Sequence, residues 1–191
     1  LVFADDSYLI DDSIAMARQG EFVRASNLIV DLANNGDSTA QYVLSMYFRD
    51  PNALNIPEVG EMWLMKAAEN NNAKAQYDLG WRLAAGWKND TVEDIVEMIY
   101  WFERATFNGS DDAYANLATL YENEHRNVLL EMEVAANNGN AMAQFNLGWI
   151  NARGLVSSEG LMQDIDVAKA WFEKSAKLGF KDAVEVLQNN F

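Results

Sequence analysis

This chain has no cysteine, one histidine and two prolines in 191 residues, and only 14 basic side chains against 29 acidic ones. Without cysteine there is no disulfide framework, no thiol nucleophile and no thiolate zinc or redox site. The lone His125 has no Gly-x-Ser-x-Gly or comparable nucleophile motif to act on, so a surface or capping role is expected of it. The acidic pairs Asp5-Asp6, Asp11-Asp12 and Asp111-Asp112, and Asp164-Ile165-Asp166, lack the Gly-bearing loop of a calcium hand. Glycine-rich phosphate loops are missing as well, so no metal and no cofactor is expected. The scarcity of cations leaves a formal charge of −15 at pH 7. That surface repels phosphates and anionic headgroups, which argues against nucleic acid and membrane partners and would steer in a basic protein. No apolar run approaches the roughly 18 residues of a membrane span.

What is present is a phrase written twice. Ala75-Gln76-Tyr77-Asp78-Leu79-Gly80-Trp81 returns as Ala143-Gln144-Phe145-Asn146-Leu147-Gly148-Trp149, and each is followed after a spacer by Trp101-Phe102-Glu103 or Trp171-Phe172-Glu173. The spacing admits two units of roughly 35 residues. Weaker copies fill the gaps: Ala40-Gln41-Tyr42-Val43-Leu44-Ser45 with Trp63-Leu64, and Ala113-Tyr114-Ala115-Asn116-Leu117-Ala118 with Glu131-Met132.

Apolar residues recur at helical spacing between regular punctuation marks. Asn34-Asn35-Gly36, Asn70-Asn71-Asn72, Asn108-Gly109, Asn137-Asn138-Gly139 and Leu178-Gly179 supply residues that accept the left-handed conformation closing a helix. Asp37, Asp90 or Thr91, Asp111 and Asp164 are placed to cap helix starts. First helices are predicted near 38–49, 73–86, 111–122 and 140–153, and second helices near 57–70, 91–108, 125–137 and 164–178. Residues 5–35 read as a further helix pair broken at Gly20, and 180–190 as a final helix. Small residues such as Ala67, Ala68, Ala75 and Gly80 would let helices approach while Trp101, Phe102 and Trp171 fill the space between.

The pattern Ala-x-Ala-Gln-x-x-Leu-Gly, a Gly after the turn, then Asp-x-x-x-Ala-x-x-Trp-Phe-x-Lys-x-Ala-x-x-Gly, complete at residues 141–179, resembles the Sel-one-like repeat (SLR), a relative of the tetratricopeptide repeat. The third unit departs from it: Ala118 replaces the Gly, Glu131 replaces the Trp, and the inter-helix loop around Glu122 to Glu124 is short. The resemblance implies an all-α fold, a right-handed α/α superhelix of about four to five helix-turn-helix repeats. It would form a single domain over residues 1–191: a capping helix pair (1–36), four repeats (37–179) and a capping helix (180–191). Each unit of such a solenoid is expected to bury its apolar face on its neighbours.

The resemblance also implies a non-enzymatic protein-binding module. One version is an exported immunity protein that neutralises a toxic effector by direct binding, and an alternative is an adaptor or regulatory scaffold subunit. A carboxylate-dependent hydrolase stands further off. Leu1-Val2-Phe3-Ala4 ahead of Asp5-Asp6 reads as the tail of a signal peptide, giving a periplasmic or secreted location, with a cytoplasmic one as the alternative. First helices of stacked pairs tend to line the concave recognition surface. The slot after the repeat Gly holds Met46, Trp81, Thr119 and Trp149, and exposed aromatics there would anchor a partner. The candidate contact residues are therefore Tyr42, Met46, Tyr77, Trp81, Arg82, Tyr114 and Trp149. Trp101 and Trp171 are assigned to packing, and the irregular stretch 154–163 is either a mobile or a contact element.

Overall fold

The computed structural model describes residues 7–86, 91–123, 125–154 and 163–191, without the side chains of 86 and 122–127. The leader-like tetrapeptide, Asp5-Asp6, the His125 side chain and residues 155–162 of the irregular stretch lie outside the described residues. The described chain is all-α, with eleven helices: α1 (Ser7–Ala17), α2 (Phe22–Asn34), α3 (Ser38–Arg49), α4 (Pro57–Glu69), α5 (Ala73–Gly86), α6 (Val92–Phe107), α7 (Asp111–Asn123), α8 (His125–Asn137), α9 (Ala141–Arg153), α10 (Ile165–Lys177) and α11 (Lys181–Asn190). These match the predicted helices to within a residue or two at nearly every end.

The punctuation works as its chemistry requires. Gly36, Asn71, Gly109, Gly139 and Gly179 all have positive φ, between 65° and 97°. Each lets the next residue's amide reach back six positions along the helix, as in Asp37 N to Leu32 O and Asn72 N to Ala67 O. The residue after each closer starts the next helix. Asp37 accepts from Ala40 N at 2.7 Å, Asn72 from Ala75 N at 3.0 Å and Asn140 from Ala143 N at 2.9 Å. Thr91 and Asp94 form a reciprocal capping box, and Asp164 accepts from Val167 N. One expected cap is corrected. Ser110, directly after Gly109, accepts from Ala113 N at 3.2 Å, and Asp111 is already in the first turn of α7.

The repeated Gln has a role of its own. Gln41, Gln76 and Gln144 are buried, and each donates Nε2 at 2.8 Å to a carbonyl at the end of the preceding helix, Ala33, Ala68 and Ala136 respectively. The clasp fixes one helix against the next across the turn. In the third repeat Tyr114 occupies this slot and is exposed.

The chain divides into two compact units, Leu1–Leu79 and Gly80–Phe191, with the boundary inside α5. In the first, α1 and α2 join the core instead of merely covering it: Ile10, Ala25 and Ile29 cluster with Val43, Leu44, Tyr47 and Trp63. Ser13 Oγ donates to Ala25 O at 2.8 Å and lies 3.1 Å from the Tyr47 hydroxyl. α3 and α4 approach closely because Gly60 has no side chain; a Cβ there would lie 3.0 Å from Ser45 O and Arg49 N.

The second unit departs from neighbour-only stacking. α6, the second helix of its repeat, packs on α7 and also directly on α9, a helix of the repeat after next. Asn146 Nδ2 on α9 donates to Val96 O at 2.8 Å, and Arg153 pairs with Glu103. Beyond them Arg104 pairs with Asp182 of α11. The physical reason lies in the third repeat, which lacks the Gln clasp, the small Gly and the large Trp that hold its strong counterparts in the stack. α6 and α9 form the interior of this unit, with only Phe107 of α6 strongly exposed.

Candidate functional site

In the first unit, Tyr42, Met46 and Arg49 recur at helical spacing along one side of α3. Tyr42 Oη donates to Asp78 Oδ2 of α5 at 3.2 Å, and Arg49 Nη2 does so at 3.3 Å. Burial, and then the charge of Asp78, pushes the Tyr42 phenol up to about 12, so it is a neutral donor throughout the physiological range. Met46 beside it is exposed, and Tyr77 on α5 is half-buried. This patch is thus a polar bridge between two first helices with one flexible thioether beside it.

In the second unit the two tryptophans of the repeated phrase part company. Trp81 is 54% exposed, the most open of the five described tryptophans, and Arg82 next to it is exposed too. Trp149 occupies the same slot but is packed: its ring lies 5.4 Å from Phe107 and 5.5 Å from Phe172, with the Arg153 guanidinium 4.9 Å over it. Tyr114 is 49% exposed on α7. Trp101 is buried, as assigned, whereas Trp171 is part-exposed and covered by Lys174 Nζ at 3.7 Å from its ring.

Sequence reasoning missed the charges under α6. Glu103 is completely buried, pairs with Arg153, and has an Oε1 without a hydrogen-bond partner. Burial pushes its carboxyl up to about 7, against the pull of Arg153. Tyr121 of α7 is equally buried; its hydroxyl has no partner, and burial followed by the Glu103 charge drives its phenol well upward. A signal was available: Val96 and Tyr100 stand where α4 has Glu58 and Met62 and α10 has Asp166 and Ala170. An outer face turned apolar in one repeat marks an extra contact.

No group of three His, Cys, Asp or Glu side chains among the described residues could hold a metal ion. Asp11, Asp12, Asp111 and Asp112 are exposed, and Asp164 is spent on its cap. No helix among the described residues is long and apolar enough to cross a membrane.

Comparison with known proteins places the repeat. The profile of the Sel1 repeat matches residues 73–108 and 141–180. A Sel1 repeat protein from Oxalobacter formigenes is similar at 25% identity, over 87% of this chain and 66% of that one, with a TM-score of 0.45. A protective antigen of uropathogenic Escherichia coli strains, displaying an SLR fold, is similar at 28% identity, over 85% of this chain and 35% of that one, with a TM-score of 0.44. The chain thus spans just under two thirds of the first and about a third of the second. None of the curated proteins matches.

Proposed function

The chain is a helical-repeat protein of the Sel1 family, and we propose that it is a non-enzymatic protein-binding module that captures a basic protein partner through Trp81 and Arg82. Sel1 repeats generally serve as scaffolds for protein–protein interaction, and the observation that carries the finer reading is Trp81. A tryptophan 54% exposed on a rigid repeat helix, next to an exposed arginine, offers the residue types that dominate interface hot spots. The formal charge of −15 supports a basic partner, because complementary charge steers encounter while desolvated aromatics hold the complex. An immunity protein that occludes a toxic effector is the concrete form we propose.

The test compares the two tryptophans. A partner is isolated by pull-down from the source organism and its affinity is measured by calorimetry. Trp81→Ala is expected to weaken binding by roughly 30-fold, about 2 kcal/mol, at unchanged stability. Trp149→Ala is expected to lower stability by ~3 kcal/mol, since its ring fills a packed aromatic cluster. Unchanged affinity in the Trp81 variant would remove the anchor from this reading.

A further inference from the structure

The outer face of α6 is the one place where this repeat array hides what its other second helices show. With the helices aligned on Trp63, Trp101, Glu131 and Trp171, the position before that anchor is exposed as Met62, Leu130 and Ala170 but buried as Tyr100. Two positions after it, Met65, Glu133 and Glu173 are exposed while Glu103 is fully buried. Further up the helix, exposed Glu58 and Asp166 correspond to buried Val96.

What covers this face is held largely by charge. Arg104 Nη1 donates to Tyr100 Oη at 3.1 Å and pairs with Asp182 of α11, to which Tyr100 Oη donates at 2.9 Å. Glu103 pairs with Arg153 of α9. The bonding is incomplete, since Glu103 Oε1, Asn146 Oδ1 and the Tyr121 hydroxyl are buried without partners. Buried charges with unmet hydrogen bonds regain hydration when the surfaces part, so this contact is far cheaper to open than an apolar one of the same extent.

We propose that Glu103–Arg153 and Arg104–Asp182 form a polar latch, which closes α9 and α11 over the outer face of α6 and opens without unfolding the repeats. Opening uncovers Trp149 and Arg153, so on the protein-binding reading above the latch governs how much of α9 the partner can reach. That consequence rests on the reading; the latch itself does not.

The absence of native cysteine makes a direct test clean. Val96→Cys places a thiol under the latch with little change of size. Ser175→Cys places one in the α9–α10 contact, where Ser175 Oγ donates to Ala141 O at 2.6 Å and which stays packed when the latch opens. Labelling of each single-cysteine full chain by a soluble thiol reagent is followed under native conditions, with and without Asp182→Ala. The latch requires Val96→Cys to react at least about tenfold faster than Ser175→Cys, and Asp182→Ala to accelerate the former about tenfold more while leaving the latter unchanged. Equal rates at both sites, or no response of Val96→Cys to Asp182→Ala, overturn it. No partner enters the experiment, so its failure leaves the Trp81 anchor standing, and failure of the Trp81 test leaves the latch standing.

Discussion

A Cβ built on Gly148 would lie 2.6 Å from Phe172 Cδ1, and one on Gly80 2.7 Å from Phe102 Cδ1, so in both strong repeats the phenylalanine occupies the space of an absent side chain. The weak repeats solve the same packing with the opposite sizes. Ser45 and Ala118 stand in the Gly slot, and the Phe slot holds fully buried Leu64 and Met132. Small and large trade volume across one contact. Gly148→Ala should therefore destabilise, because overpacking costs ~1–3 kcal/mol and outweighs the roughly 1 kcal/mol of helix propensity gained. Adding Phe172→Leu should relieve the clash, so that urea denaturation of the double variant shows a loss at least about 1 kcal/mol smaller than the sum of the two single losses. Additive losses would mean that the ring does not depend on the glycine.

At the scale of the element, the Gln clasp separates the strong repeats from the weak one. Gln76 donates to Ala68 O from a fully buried position, whereas Tyr114 in the equivalent slot is exposed. Gln76→Ala is expected to cost ~1–2 kcal/mol and Tyr114→Ala nearly nothing. Gln76→Glu should cost more than Gln76→Ala at pH 7 and less at pH 4, because a charged carboxylate facing a carbonyl repels it while a protonated one can donate. Equal melting temperatures for Gln76→Ala and Tyr114→Ala would dispose of the clasp.

The elements themselves were legible because their signals are local. Asn and Gly closers, Asp and Thr caps and 3.6-residue periodicity each act within a few residues, and the helix ends follow them. The clasp was not read because Gln looks like any polar residue until its partner carbonyl, eight positions back, is placed. The unequal fates of Trp81 and Trp149 were beyond any local pattern. Both follow the repeat Gly, but Trp149 is covered by Phe107, and that contact exists only because a weakened third repeat lets α6 reach α9. Candidate site residues were thus placed on the correct helices, while their exposure was decided by contacts far apart in sequence.

For the molecule as a whole, the formal charge of −15 makes the fold repel itself, and lowering the pH relieves the repulsion as carboxylates take up protons. Ordinary surface carboxylates do this near pH 4, so they contribute little above pH 5.5. Glu103 is different, since burial pushes its carboxyl from 4.5 up to about 7. Its folded form holds a proton that the unfolded chain has already released, and stability present below about pH 4.5 is lost as the pH rises through 7. Unfolding free energy should therefore fall between pH 5 and 7.5, by on the order of 1–3 kcal/mol for this one group. Two controls separate it from the general charge. Salt at about 0.5 M shortens the screening length to roughly 4 Å and flattens the surface contribution, while the buried pair is screened much less. Glu103→Gln removes the local contribution and leaves the surface charges in place. A slope that persists in high salt and disappears in Glu103→Gln assigns it to Glu103; a slope that salt removes and the substitution does not would assign the pH response to the acidic surface alone.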